Sequence, residues 1–258
     1  MLPVAVFAYI MKLRPTLLLT TLLSCTSAFA ATETVLPGDA QWASENSGGG
    51  SSTITSTAPR SGNGSLELFG DRTRFFGLGN PYDSNSNIGL LSDLASITFD
   101  WNIATDSVSL LGPDYTPALR LHLWDGNQRS ELIWEGAYNG TYGNTTKGTW
   151  YTSGADDNFW QFQTGIGDSL VYDRSIADWQ SFYSDTAYIA AVSIGVGSSV
   201  GADYHAFADN LTLTFANGQS TTYNFEVRSQ AVPDGGATLA LVGAGLALAG
   251  IARRRMSR

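Results

Sequence analysis

Short runs in which apolar and polar side chains alternate, each closed by a cluster of Gly, Asn or Asp, constrain this chain's fold more than any other feature. The run 96–103 is the clearest. Ile97, Phe99, Trp101 and Ile103 fall on one face of an extended segment, and Thr98, Asp100 and Asn102 on the other. A period of two belongs to a strand whose two faces meet different surroundings. The run 65–69 repeats it, and 118–124 sets Leu119, Leu121 and Leu123 against Arg120, His122 and Trp124. Asp125-Gly126-Asn127-Gln128 supplies turn chemistry into 131–138, which predicts a hairpin. Further strands are predicted over 188–196 and 205–215, and Ala216-Asn217-Gly218-Gln219 turns the second of these into a strand over 221–227. Residues 31–62, rich in Gly, Ser and Thr, read as loop and short edge strands. Only 176–183 shows helical spacing, through Ile176, Trp179 and Phe182. Many short strands with almost no helix predict an all-β fold, a jelly-roll β-sandwich of about eight to ten strands.

The two ends read as processing segments around a body over 31–231. Lys12 and Arg14 precede the apolar run 17–23, and Met11 by itself begins a standard leader of that design. Ala28-Phe29-Ala30 places small residues where a signal peptidase reads, so residues 1–30 are predicted to be a signal peptide cleaved before Ala31. Leu22-Leu23-Ser24-Cys25 offers a rival, lipoprotein-like site. Ordinary cleavage removes Cys25, the only cysteine, so the mature chain has no disulfide and no thiolate chemistry.

At the far end Val232, Pro233, Asp234, Gly235 and Gly236 form a breaker cluster before an uncharged stretch over 237–252, followed by Arg253, Arg254 and Arg255. Sixteen helical residues span about 24 Å against a hydrocarbon core near 30 Å, a short membrane segment. The arginines would stay cytoplasmic and leave the body outside. Motif, short helix and basic tail over 232–258 resemble the PEP-CTERM class of bacterial exported proteins, in the variant whose motif reads Val-Pro-Asp-Ser-Gly, with Gly235 here in place of the serine. The resemblance implies that the tail is a sorting signal recognised by an exosortase, a membrane enzyme with a catalytic cysteine. It implies transient anchoring in the cytoplasmic membrane, then release or retention at the cell surface or in the extracellular matrix, where such carriers often accompany exopolysaccharide. It implies nothing about the body.

The body carries eight basic and 22 acidic residues over 31–231, a net charge of −14. So acidic a surface excludes nucleic acid as a partner. Two segments are similar to carbohydrate-binding jelly-roll modules: Arg60-Ser61-Gly62-Asn63-Gly64-Ser65-Leu66-Glu67-Leu68 and Ala208-Asp209-Asn210-Leu211-Thr212-Leu213. In those modules the residue matching Asp209 is often a structural calcium ligand. Strict alternation also places Asp209 in line with Phe207, Leu211, Leu213 and Phe215, and an inward carboxylate needs a cation or several donors. The alternative is that Asp209 caps a turn with Asn210.

Trp124, Trp134, Tyr138, Tyr142, Trp150, Tyr151 and Trp160 crowd 124–160 among Asn and Gly. Aromatic faces beside amides and carboxylates suit a sugar. Alternation makes Trp124 the candidate exposed ring. Asp100, Arg120 and His122 each lie opposite their strand's apolar set, so they are candidates to share one face with it and contact glycan. Such a set also suits a polysaccharide lyase, with His122 as base and Arg120 neutralising a uronate. A glycoside hydrolase needs carboxylates about 5–9.5 Å apart. Glu131 and Glu135 stand roughly 13 Å apart along one strand, and Asp156-Asp157 reads as a solvated loop. No Gly-x-Ser-x-Gly elbow precedes a helix, and His122 and His205 are too few for a histidine-rich zinc site. The expectation is a non-catalytic exported protein that binds extracellular polysaccharide. A lyase or hydrolase on the same fold and a purely structural matrix protein are the alternatives.

Overall fold

In the computed structural model, residues 30–228 are described. Their strands run, in chain order, β1 (Ala30–Val35), β2 (Trp42–Ser44), β3 (Ser51–Thr55), β4 (Ser65–Phe69), β5 (Arg74–Gly77), β6 (Gly89–Leu90), β7 (Leu94–Ile103) and β8 (Ala118–Asp125). They continue with β9 (Gln128–Trp134), β10 (Trp150–Thr152), β11 (Trp160–Gln163), β12 (Gly167–Asp168), β13 (Tyr188–Gly195), β14 (His205–Phe215) and β15 (Ser220–Phe225), and α1 (Ile176–Gln180) lies between β12 and β13. The signal-peptidase residue Ala28, the sorting motif 232–236 and the basic residues Arg253, Arg254 and Arg255 lie outside the described residues. Ala30 and Ala31 are the first two residues of β1, which runs parallel to β15 from the pair Ala30 and Ser220.

Two sheets stack into an all-β sandwich. In the seven-stranded sheet, β14 is the centre: β7 lies along one edge, while β4 and β15 share the other, and β10, β3 and β1 extend the flanks. The eight-stranded sheet runs β12-β11-β9-β8-β13-β5-β2, with β6 beside the start of β13. Alternation explains both inner faces. Leu119, Leu121 and Leu123 of β8, Leu132 and Trp134 of β9, and Val192 and Ile194 of β13 face Leu66, Leu68, Ile97, Phe99 and Trp101 across one core. Trp134 bridges the sheets, edge-on to Phe99 at 5.1 Å between centroids and 6.1 Å from Trp101. Each such side chain, fully buried, contributes about 1.5–3 kcal/mol.

The hairpin β8–β9 forms as expected, with Asp125 opposite Gln128. Its turn has Gly126 at φ 56°, the positive value that the first position of a II′ turn demands. The strand count exceeds the expected eight to ten because β2, β5, β6, β10, β11 and β12 have two to four residues each, too few alternations to be read. The helix is shorter than its spacing predicts. Ser175 and Asp178 form a capping box, Ile176 and Trp179 are buried, and Phe182 is left outside the helix and exposed.

One irregularity governs the site. The register of β14 against β7 gains one residue between Asp209 and Thr212, and Asn210 sits at φ 48°. This β-bulge switches which side chains face inward. Phe207 and Asp209, opposite Asn102 and Asp100, point to the outer face, whereas Leu211 and Leu213 point into the core. Asp209 is therefore not in line with Leu211 and Leu213, contrary to the strict alternation read from sequence.

Candidate functional site

Both outer faces carry buried charge, and they treat it differently. On the seven-stranded sheet, Asp100 of β7 accepts from Arg60 Nε at 2.9 Å, from Asn210 Nδ2 at 2.8 Å and from the Thr152 hydroxyl. Asp209 accepts from the backbone N–H of Phe225 and Asn210 at 2.8 Å each, and from that of Ser61 at 3.4 Å. Burial raises Asp209 to about 6, and these three donors offset part of that rise. His205 bridges Asp106 and Glu67 at 2.8 Å each. The carboxylates and histidine of this face have partners from the chain itself. Together the contacts tie the loop 58–64 and β15 to the central strand. Among the described residues no group of three or more acidic, His or Cys side chains is arranged to hold a metal ion.

Asp100 does not join Arg120 and His122. Alternation orients a side chain on its own strand but does not say which sheet that strand enters, and β7 and β8 belong to opposite sheets.

Arg120 and His122 do come together, on the outer face of the eight-stranded sheet. The pairing of β8 with β9 places Glu131 directly opposite His122, and β13 adds Ser193 opposite Arg120. His122 Nε2 lies 2.8 Å from Ser193 Oγ and its Nδ1 3.4 Å from Glu131 Oε1. Three arginines close on the same carboxylate: Arg129 Nη1 at 3.1 Å, Arg74 Nη2 at 3.6 Å and Arg120 Nε at 3.8 Å. Burial alone would raise Glu131, but the contact with His122 and the charges of Arg74 and Arg120 outweigh it and hold the carboxyl far below its usual range. Burial pushes His122 below the ordinary imidazole value, with the Glu131 contact opposing it, so the ring is neutral at pH 7.

Ser193, His122 and Glu131 follow the atom order of a nucleophilic relay. Ser193 and His122 have no accessible surface, so no substrate carbon reaches the hydroxyl in this arrangement. The relay orders the face; it does not open it to solvent.

Aromatic rings flank this polar centre. Tyr138 and Tyr172 stack at 4.3 Å and 17°, and Trp160 of β11 stands 6.3 Å from Tyr172. Tyr172 donates to Asp168 at 3.1 Å. Tyr142 is exposed, and Tyr115 reaches Glu135, whose carboxyl burial raises. On the other side Tyr82 lies under Arg129 at 5.1 Å. Trp124 shares the outer face and is half-buried, as Trp160 is, and the indole Nε1 of each is closed off from solvent. Trp134 belongs to the core, and Trp150 and Tyr151 lie on β10 of the opposite sheet. Asp157 is no free loop carboxylate either: it accepts from Trp134 Nε1 at 2.7 Å.

Alternation exposed Arg120, His122 and Trp124 as one set. It missed Arg74, Arg129, Ser193 and Glu131's place beside His122, which depend on strand partners 46 to 71 residues from Arg120 or His122 in two cases and on hairpin register in the others. The Tyr138–Tyr172 stack had no local signal at all.

The architecture defines an all-β two-sheet sandwich. No model of a known protein family matches the chain, and no curated protein matches it. Among solved structures, a "Family 16 Carbohydrate Binding Module-2" is similar at 14% identity and a TM-score of 0.31, over 63% of this chain and 84% of that one. A "Cellulose induced protein, Cip1" is similar at 13% identity and a TM-score of 0.33, over 69% and 92%. At such scores neither likeness bears on the site.

Proposed function

We propose that this protein is a non-catalytic polysaccharide-binding sandwich of jelly-roll type, and that glycan lies across the outer face of the eight-stranded sheet. The observation that carries the reading is the Tyr138–Tyr172 stack with Trp160, set beside the polar centre of Arg120, His122 and Glu131. Aromatic faces take the C–H face of a sugar, and the Tyr172 hydroxyl and exposed Asp168 beside the stack take its hydroxyls. The buried centre holds the strands beneath them. The ends complete the proposal: a leader over 1–30 for export, and a tail over 232–258 for exosortase sorting from the cytoplasmic membrane to the cell surface or matrix. A structural calcium at Asp209 would brace the loop 58–64; a fall in Tm on adding chelator supports it, and an unchanged Tm removes it.

Affinity electrophoresis of the full chain in mild detergent, against a panel of neutral and acidic glycans, tests the binding. Retardation that the double variant Tyr138→Ala/Tyr172→Ala abolishes, with its Tm held, is the expected result. No retardation on any glycan overturns the reading and leaves a structural matrix role. A second reading, a polysaccharide lyase or hydrolase on the same fold, requires the buried Ser193–His122–Glu131 relay to become accessible to substrate. Release of new chain ends by the wild type but not by His122→Ala would install it.

A further inference from the structure

Of the body's eight basic residues, four gather at one place: Arg72, Arg74, Arg120 and Arg129. The other four are dispersed. Arg60 pairs with Asp100, Arg174 lies over Trp179, Lys147 reaches the Ser107 carbonyl, and Arg228 that of Pro37. Arg72, Arg74 and Arg120 line a cavity of about 390 Å³, together with Glu45, Asn46, Ser47, Tyr82 and the turn 196–198.

Arg120 is the unusual member. It is only 4% exposed, and its guanidinium makes no hydrogen bond among the described residues; its Nη1 is buried without a partner. Its one ion pair, with Glu131 at 3.8 Å, is shared with two other arginines. A buried guanidinium with unmet donors costs free energy unless something accepts from it. Burial, and next the charge of Arg74, both act against its proton, so an added anion relieves it.

Arg72 stands at the same cavity with φ 53°, a left-handed backbone that a residue with a side chain rarely adopts. Its backbone is held there by hydrogen bonds from its N–H to Gly197 and from Ser47 to its carbonyl. Those two bonds fix where the Arg72 side chain leaves the backbone at the cavity's edge. The acids nearby, Glu131, Glu135, Glu45 and Asp71, equal the four arginines in number. The locus is thus balanced in a body of net charge −14, and it holds half of that body's basic residues.

We propose that this cavity is the anion subsite of the glycan-binding face. It takes a sugar-borne oxyanion, a uronate carboxylate or a sulfate ester, on the guanidinium groups of Arg120, Arg74 and Arg72. The proposal rests on the polysaccharide-binding reading. It narrows the ligand to acidic polysaccharide, which the body's overall charge would otherwise repel. Guanidinium forks suit such groups because their donors match two oxygens at once.

The test is affinity electrophoresis of the full chain in mild detergent on polygalacturonate, dextran sulfate and neutral dextran. Stronger retardation on one polyanion than on dextran is expected, and the polyanion that retards identifies carboxylate or sulfate as the group. Arg72→Asn, which keeps a residue tolerant of the left-handed backbone, should weaken polyanion binding about tenfold and leave neutral glycan unchanged. Arg120→Met should weaken polyanion binding by the same factor or more, with near-UV circular dichroism confirming its fold. Arg228→Gln removes the same charge elsewhere and should change nothing. Equal retardation on dextran and polyanions, unchanged binding in Arg72→Asn, or an equal loss in Arg228→Gln overturns the subsite while leaving the binding reading in place. Absence of retardation on all three overturns both.

Discussion

The two outer faces of this sandwich hold buried charges in similar numbers and reach opposite outcomes. On the seven-stranded sheet the charges are closed: Asp100 and Asp209 accept three hydrogen bonds each, and His205 spans two carboxylates. On the eight-stranded sheet one carboxylate, Glu131, serves three arginines and a histidine, and Arg120 is left with donors unmet. A closed network ties loops to strands and has little to offer a ligand. An open one keeps part of its interaction free energy for whatever arrives. Buried polar residues alone do not separate the two; the balance of donors and acceptors does.

Perturbing each face sharpens the contrast. The largest effect is expected from Glu131→Gln, which removes the one carboxylate that ion-pairs with Arg74, Arg120 and Arg129 among the described residues. Chemical denaturation should show a loss of about 3–5 kcal/mol, and a loss below 1 kcal/mol would mean that solvent screens these arginines. Asp209→Ala comes next. It orphans the N–H of Phe225 and Asn210, for a loss of about 1–3 kcal/mol, and glycan retardation should be untouched. A parallel loss of binding would show that the closed face is part of the site.

Acidification acts on the open face in a defined direction. His122 has its folded-state value below its unfolded one, so the unfolded chain takes up the proton first, and stability falls as pH drops below about 6.5. Glu131, depressed in the fold, adds a second loss starting near the ordinary carboxylate value of 4.5. Asp209, raised to about 6, works the other way and gains stability over the same fall. Comparing wild type with His122→Asn isolates the first limb: the difference between their stabilities should shift against the wild type between pH 7 and 5. A pH-independent difference would refute the buried neutral imidazole. The smallest stability effect belongs to Arg72→Asn, within about 0.5 kcal/mol for an exposed side chain, although it is expected to weaken polyanion binding. That split between stability and binding is what distinguishes the open face from the closed one.

Much of the fold was legible in the order of residues, and for a local reason. The side-chain period of an extended strand is two whatever the strand pairs with, so Ile97 to Ile103 and Leu119 to Leu123 announce their inner faces unaided, and the 125–128 turn announces a hairpin. The polar face of β8 was legible on the same ground, which is why Arg120, His122 and Trp124 emerge as one set. Tertiary structure decided the rest. It assigned β7 and β8 to opposite sheets, parting Asp100 from Arg120 and His122. A single inserted residue at Asn210 turned Asp209 away from the line of Leu211 and Leu213, because a bulge reverses every face beyond it. It brought Arg72 and Arg74 to Arg120 across β13, and Tyr172 onto Tyr138 across 34 residues of chain. Alternation along a strand is a property of neighbours in sequence. Whether a buried charge finds its partner depends on neighbours in space, and these are set only when two sheets, their registers and their loops have closed together.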